Sequence, residues 1–138
     1  MGVKIALGTD EHRPLFDELG RRLTELGHEV VVVADGEAWP DAGRLVGEAV
    51  VSGTADRGVV CCWTGTGVSI AANKVPGVRA ALCTDAETAR GARRWNDANV
   101  LAMGLRLTSA EVAGEMLAAF LATDVDVGES ETLGRLAP

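Results

Sequence analysis

Gly58-Val-Val-Cys-Cys-Trp-Thr-Gly-Thr-Gly-Val-Ser-Ile-Ala-Ala-Asn-Lys74 is the stretch on which the reading of the chain turns. Its opening, Gly58 to Cys62, is an apolar run too short for a helix, and the glycines at 65 and 67 follow it at once, so it reads as a strand and a turn. From Val68 the residues suit a helix. The first backbone N–H groups of such a helix have no partner within it and face the space above the strand. Adjacent strand residues point to opposite faces, so only one of Cys61 and Cys62 reaches the turn, and Cys62 lies next to it. A thiol with an ordinary pKa of about 8.5 becomes a usable base where a helix N-terminus favours its thiolate. The same N–H groups hold negative charge on an oxygen, which together is the equipment for carbanion or enediolate chemistry. The alternative is packing, because free cysteine is commonly buried as a small hydrophobe.

Working outward, Lys4 to Gly8 reads as a first buried strand, and the polar turn Thr9-Asp10-Glu11-His12-Arg13 leads to Pro14, placed to start a helix. Leu15, Phe16, Leu19, Leu23 and Leu26 recur at helical spacing up to Gly27. His28 to Ala34 is a β-branched strand, and a loop runs through Trp39-Pro40. Asp41 is the expected cap of a helix from Ala42 to about Val51. Beyond Lys74, the spacing predicts a strand over Val78–Cys83, a helix over Ala86–Arg94 capped at Thr84-Asp85, a strand over Asn99–Met103, and a last helix over Ala110–Leu121 capped by Ser109.

Five alternations of strand and helix imply an α/β fold, a five-stranded parallel, doubly wound, Rossmann-like sheet covered on both faces. Such sheets bind ligands at the carboxyl ends of their strands, which points to Asp10–Arg13, Cys62–Ser69 and Cys83–Asp85. One domain over 1–123 is expected, followed by an acidic tail over 124–138, either disordered or docked on a neighbouring subunit.

At 138 residues the chain is long enough for a real core. Three cysteines, two adjacent, make neither a disulfide framework nor a CxxC pair. With only two histidines and no clustered ligands, no metal is expected. A formal charge of −7 argues against nucleic acid as a partner, since phosphate-backbone binding needs clustered Lys and Arg. No apolar run approaches the roughly 20 residues of a membrane span, and the N-terminus enters a strand without a signal-peptide pattern, so a cytoplasmic location without membrane association is expected.

Gly65-x-Gly67-x-x-x-Ala71, with Asp85 downstream, has the look of a dinucleotide fingerprint. It follows the third strand instead of the first, and Cys62 and Trp63 crowd the phosphate position. A cysteine phosphatase needs a phosphate-gripping arginine shortly after its nucleophile, and Val68 and its neighbours supply none.

The run from Cys62 through Lys74-Val-Pro-Gly-Val-Arg-Ala-Ala-Leu-Cys83, then Asn96-Asp-Ala-Asn-Val-Leu-Ala-Met-Gly104 and Arg106, closely resembles the type B ribose-5-phosphate isomerases and galactose-6-phosphate isomerase subunits. The resemblance spans Lys4 to about Leu121. It implies a three-layer α/β/α domain, a homodimer or possibly a tetramer with sites between subunits, and aldose–ketose interconversion of a sugar or sugar phosphate through a cis-enediolate, without cofactor. By position, Cys62 matches the cysteine that moves the proton and Thr64 a threonine beside it. Gly65, Thr66, Gly67, Val68 and Ser69 match the loop that holds the enediolate. Asp10 and Asn96 match contacts to substrate hydroxyls, and Arg106 an arginine near the phosphate.

The departures from the family pattern bear on function. Glu11 stands where a histidine follows the first-strand aspartate, with His12 one step later, and Trp95 stands where a histidine opens the sugar ring. Trp63 replaces a usual glycine after the cysteine. The segment Gly128 to Arg135 is largely acidic where the family carries phosphate-gripping arginines, which leaves Arg106 and Arg13 as grips. The alternative that these losses raise is an inactive homologue that binds a small carbohydrate as a sensor or partner subunit.

Overall fold

The structure, a computed structural model, describes residues 2–136. Five strands, β1 (Lys4–Thr9), β2 (Glu29–Asp35), β3 (Arg57–Cys62), β4 (Ala80–Leu82) and β5 (Val100–Gly104), form one parallel sheet in the order β2-β1-β3-β5-β4. The helices α1 (Pro14–Glu25), α2 (Trp39–Val51), α3 (Thr66–Asn73), α4 (Ala86–Asn96) and α5 (Ala110–Ala122) alternate with them. The chain leaves β1 in one direction to form β2 and returns to the other side of β1 for β3. The β1/β3 boundary is therefore a topological switch point, where a crevice opens at the strand ends.

Strand alternation divides the core in two. One face of the sheet sends Leu7, Cys61, Leu101 and Met103 against Phe16, Leu19 and Leu23 of α1 and Met116, Leu117 and Phe120 of α5. The other sends Ala6, Val60, Cys62 and Ala102 against Val46 of α2 and Val68 and Ala72 of α3. The second face is built from smaller residues, and α2 and α3 approach closely. A Cβ on Gly43 would lie 2.6 Å from both the Ala71 Cβ and the Val68 carbonyl oxygen. That approach seats the N-terminus of α3 directly above the end of β3. The two adjacent cysteines fall on opposite faces, as the alternation requires.

Several element boundaries differ from the sequence expectation, and three of the differences have a clear local cause. The α2 helix begins at Trp39 and not at Ala42, with Ala38 as a cap that makes no side-chain bond. Pro40 accounts for the difference, because its fixed φ and missing N–H suit a first helical turn. Asp41 is thereby moved inside that turn, where the helix dipole favours a carboxylate. The β4 strand is three residues and not six, because Val78 closes a turn on Val75 (3.1 Å) and the Arg79 N–H is taken by the Asn99 side chain (2.8 Å). The α4 helix runs on through Trp95 and Asn96 instead of stopping at Arg94, and Asp97 ends it in the left-handed region at φ 48°. Asp85 caps its start by accepting the Thr88 N–H at 2.8 Å, which holds the Asp85 carboxyl below its usual range. Ser109 caps α5 in the same way at 3.2 Å.

Arg93, almost fully buried, donates to the Thr123 carbonyl (3.0 Å), the Ala98 carbonyl (2.7 Å) and Asp97 Oδ1 (2.9 Å), tying the end of α5 to the turn before β5. β4 is an edge strand, and its outer side is met by a side chain. Asn73, the last residue of α3, donates its amide to the Ala80 carbonyl (3.0 Å) and accepts the Ala80 N–H (2.8 Å). After α5 the chain forms a 3-10 turn over Val127–Glu129 and a single helical turn, α6 (Ser130–Leu133). The Asp126 N–H donates to the Arg94 carbonyl at 2.9 Å, and Thr132, Leu133 and Leu136 line a groove beside Trp95.

Candidate active site

The carboxyl ends of β1, β3 and β5 converge. In the ladder Thr9 is opposite Cys61 and Cys62 is opposite Gly104, so Cys62 lies between the turn after β1 and the turn after β5. Gly65 begins α3 at φ 79°, a conformation that glycine adopts at little cost. The first helical bond of α3 runs from the Ser69 N–H to the Gly65 carbonyl (3.3 Å). This leaves the N–H groups of Thr66, Gly67 and Val68 outside the helical ladder as donors above the strand end. Ser69 offers its hydroxyl and not its N–H. The Thr64 and Thr66 hydroxyls bond one another at 2.8 Å across the turn.

Backbone contacts hold this loop. A Cβ at Gly104 would meet the Thr64 carbonyl oxygen at 2.8 Å, so the β5 end and the loop lie backbone against backbone. Leu105 donates to the Cys62 carbonyl and Arg106 to the Trp63 carbonyl, both at 2.9 Å. The Trp39 ring lies over Gly67, where a Cβ would come within 2.8 Å of it.

The two thiols differ in surroundings. Cys61 is fully buried at 0% exposure, and burial pushes its thiol up to about 12 against the pull of a hydrogen bond from Thr9. Such a group stays protonated at neutral pH and donates to the Gly8 carbonyl at 3.7 Å. Cys62 is 5% exposed, on the α3 side of the sheet.

Asp10 stands beside this pair, with its own N–H on the Cys61 carbonyl at 3.3 Å. Burial, and then the charge of Glu11, raise its carboxyl above the ordinary value. Its Oδ1 is buried and has no hydrogen-bond partner among the described residues. A buried carboxylate oxygen without a donor is costly, so this atom is placed to receive one from a ligand.

The other sequence candidates separate into two groups. Arg13 joins the site: its guanidinium carbon lies 5.1 Å over the Trp63 ring and its Nη2 donates to Glu11 Oε1 at 2.8 Å. His12 turns elsewhere. Its Nε2 bonds Asp17 (2.9 Å) and its Nδ1 bonds Asp35 (2.9 Å), and these two carboxylates, Asp17 first, raise its pKa. Both ring nitrogens are thereby engaged. Trp95 and Asn96 line a groove of about 1020 Å³ along β4 and α4, whose walls include neither Cys62 nor the Thr64–Ser69 loop. The sequence reading missed the Glu11–Arg13–Trp63 cluster and the clamp of Asp17 and Asp35 on His12. Only the proximity of the β1, β2 and β3 ends in a doubly wound sheet hints at either.

Comparison with known proteins follows the same lines. Residues 5–136 match the family model described as Ribose/Galactose Isomerase. Ribose-5-phosphate isomerase B of Escherichia coli is 36% identical over 136 residues, covering 93% of this chain and 89% of that protein. D-erythrulose-4-phosphate isomerase of Pectobacterium atrosepticum is 34% identical over 134 residues, covering 93% and 88%. Among solved structures, ribose-5-phosphate isomerase B of Clostridium thermocellum superposes with a TM-score of 0.90 at 40% identity, covering 96% of this chain and 93% of that one.

Proposed function

The chain belongs to the ribose/galactose isomerase family and is a sugar-phosphate isomerase, and from that premise we propose that Cys62 is its proton-transfer base and that its substrate is a short, largely open-chain sugar phosphate. As base, Cys62 takes the proton from the carbon beside the carbonyl and returns it to the former carbonyl carbon, while the proton of the adjacent hydroxyl passes to the former carbonyl oxygen. The enediolate oxygen formed in between is held by the N–H groups of Thr66, Gly67 and Val68, in the manner of an oxyanion hole. Thr64 orients the loop through Thr66, and Ser69 supplies a hydroxyl. The observation that supports the reading is the buried Asp10 Oδ1 at the carboxyl end of β1, without a partner among the described residues, which a substrate hydroxyl would satisfy.

Trp95 supports this substrate class. Indole N–H only donates and cannot shuttle a proton, so ring opening goes unassisted. A tetrulose phosphate, whose remaining hydroxyls close no stable ring, needs no such step, and the Pectobacterium relative acts by its name on erythrulose 4-phosphate. The carboxylates from Asp124 to Glu131 oppose a dianion, so recognition leans on hydroxyls as well as on Arg13 and Arg106. The expected result is a kcat/KM for erythrulose 4-phosphate on the order of ten-fold or more above that for ribose 5-phosphate. A clear preference for the pentose phosphate would refute this assignment.

A homodimer completes the site. Trp95 and Asn96 match substrate-contact positions by resemblance, yet within one chain they line a groove apart from Cys62. Both facts are accommodated if that groove, with Trp95 54% exposed in it, meets the thiol loop of a second copy. A dimer is expected by sedimentation at micromolar concentration. Mixing Cys62→Ala with Asn96→Ala protein should restore about a quarter of the active sites by random exchange of subunits in a two-fold assembly. A fully active monomer would exclude the shared site. Among the described residues no helix is long and apolar enough to cross a membrane, and a sugar-phosphate substrate fits a cytoplasmic enzyme.

A further inference from the structure

Trp63 joins three parts of the site. Its backbone follows directly on Cys62, its carbonyl accepts the Arg106 N–H at 2.9 Å, and its indole, 45% exposed, lies under the Arg13 guanidinium at 5.1 Å. Stacking on an aromatic face uses none of the arginine's N–H groups. Of the five donors that guanidinium carries, one contact is made among the described residues, to Glu11 Oε1 at 2.8 Å. Planar donors therefore remain three residues along the chain from Asp10, whose buried Oδ1 has no partner among the described residues. Glu11 balances the charge of Arg13 through a single bond, and an anion with more acceptors can engage the remaining donors.

We propose that Trp63 is a positioning residue of the isomerase: its indole holds the Arg13 guanidinium beside the Cys62 end of β3 as the grip for the substrate phosphate. This rests on the reading of the site as an isomerase centre for a short sugar phosphate, and extends it. A glycine at position 63 would leave Arg13 without a platform. Trp63 acts on the anion through Arg13.

The test is a double-mutant cycle read on inorganic phosphate, which reports the grip without requiring turnover. The full-length chain and its Arg13→Gln, Trp63→Ala, Trp63→Phe and doubly substituted Arg13→Gln/Trp63→Ala variants are titrated with phosphate and followed by phosphorus NMR, with circular dichroism verifying the fold. Arg13→Gln should weaken binding by on the order of 10- to 100-fold through loss of charge-assisted bonds. Trp63→Ala should weaken it about five-fold, and Trp63→Phe, which keeps an aromatic face, by less than about two-fold. In the double variant Trp63→Ala should add nothing, because its effect runs through Arg13. Additive losses, an unaffected Arg13→Gln protein, or no saturable phosphate binding by the unsubstituted chain would each overturn the proposal. If the phosphate cycle holds while no tetrulose phosphate is turned over, the grip stands and the substrate assignment falls.

Discussion

Cys62→Ala is expected to abolish exchange of the substrate C2 proton with solvent deuterium and to lower kcat by on the order of 10²–10⁴, the usual cost of removing a general base. Cys61→Ala is expected to leave exchange close to normal. The contrast follows from one step along a strand: Cys61 packs toward α1 and α5 with its thiol pushed up to about 12, while Cys62 packs on the α3 side. Removing the Cys61 sulfur costs stability, about 1 kcal/mol for a small loss of buried volume, and not chemistry. Exchange measured by NMR in deuterated buffer separates the two. Equal losses in both variants, or retained exchange in Cys62→Ala, would reject the assignment.

Gly65→Ala has the largest expected effect on the scaffold. The residue sits at φ 79°, and an added Cβ would lie 2.7 Å from the Met103 carbonyl carbon and 2.9 Å from the Gly104 nitrogen. Those neighbours are backbone of the adjacent strand and cannot rotate away. Left-handed strain and overpacking together cost about 2–4 kcal/mol, or roughly 10 °C in Tm for a domain of this size. The N–H groups of Thr66, Gly67 and Val68 shift with the loop, so activity falls beyond what unfolding explains. Gly27→Ala is the control. It has φ 92° with nothing within 4 Å of the added carbon, so only the conformational cost of about 1 kcal/mol remains. Thermal melts of the pair decide the matter, and equal shifts would show that the packing against β5 is unimportant.

Much of this was legible in the residues. The order of strands and helices followed from short apolar runs alternating with helical stripes, and Asp85 and Ser109 announced their helices because a cap is a local bond between residues three apart. The opposite faces of Cys61 and Cys62 followed from the pleat alone. Other features escaped because they join segments distant in the chain. Arg13 meets Trp63, and His12 meets Asp35, only once β1 is set between β2 and β3. The separation of Trp95 and Asn96 from Cys62 depends on β4 taking the edge and β5 the interior, an order that hydrophobic periodicity does not encode. The start of α2 was misplaced because an aspartate that caps well also sits well inside a first turn.

The Asn73 amide on Ala80 bears on how the protein behaves when crowded. An edge strand is a template on which another chain can add a strand, and a parallel or antiparallel ladder needs successive alternate residues with their backbone groups turned outward. In three-residue β4 those are Ala80 and Leu82, and a side-chain amide already occupies both groups of Ala80. A single outward residue gives an incoming strand no second rung. The asparagine that ends the site's own helix thus also guards the β4 edge of the sheet against strand addition, and Asn73→Ala protein should precipitate sooner on concentration while keeping its fold.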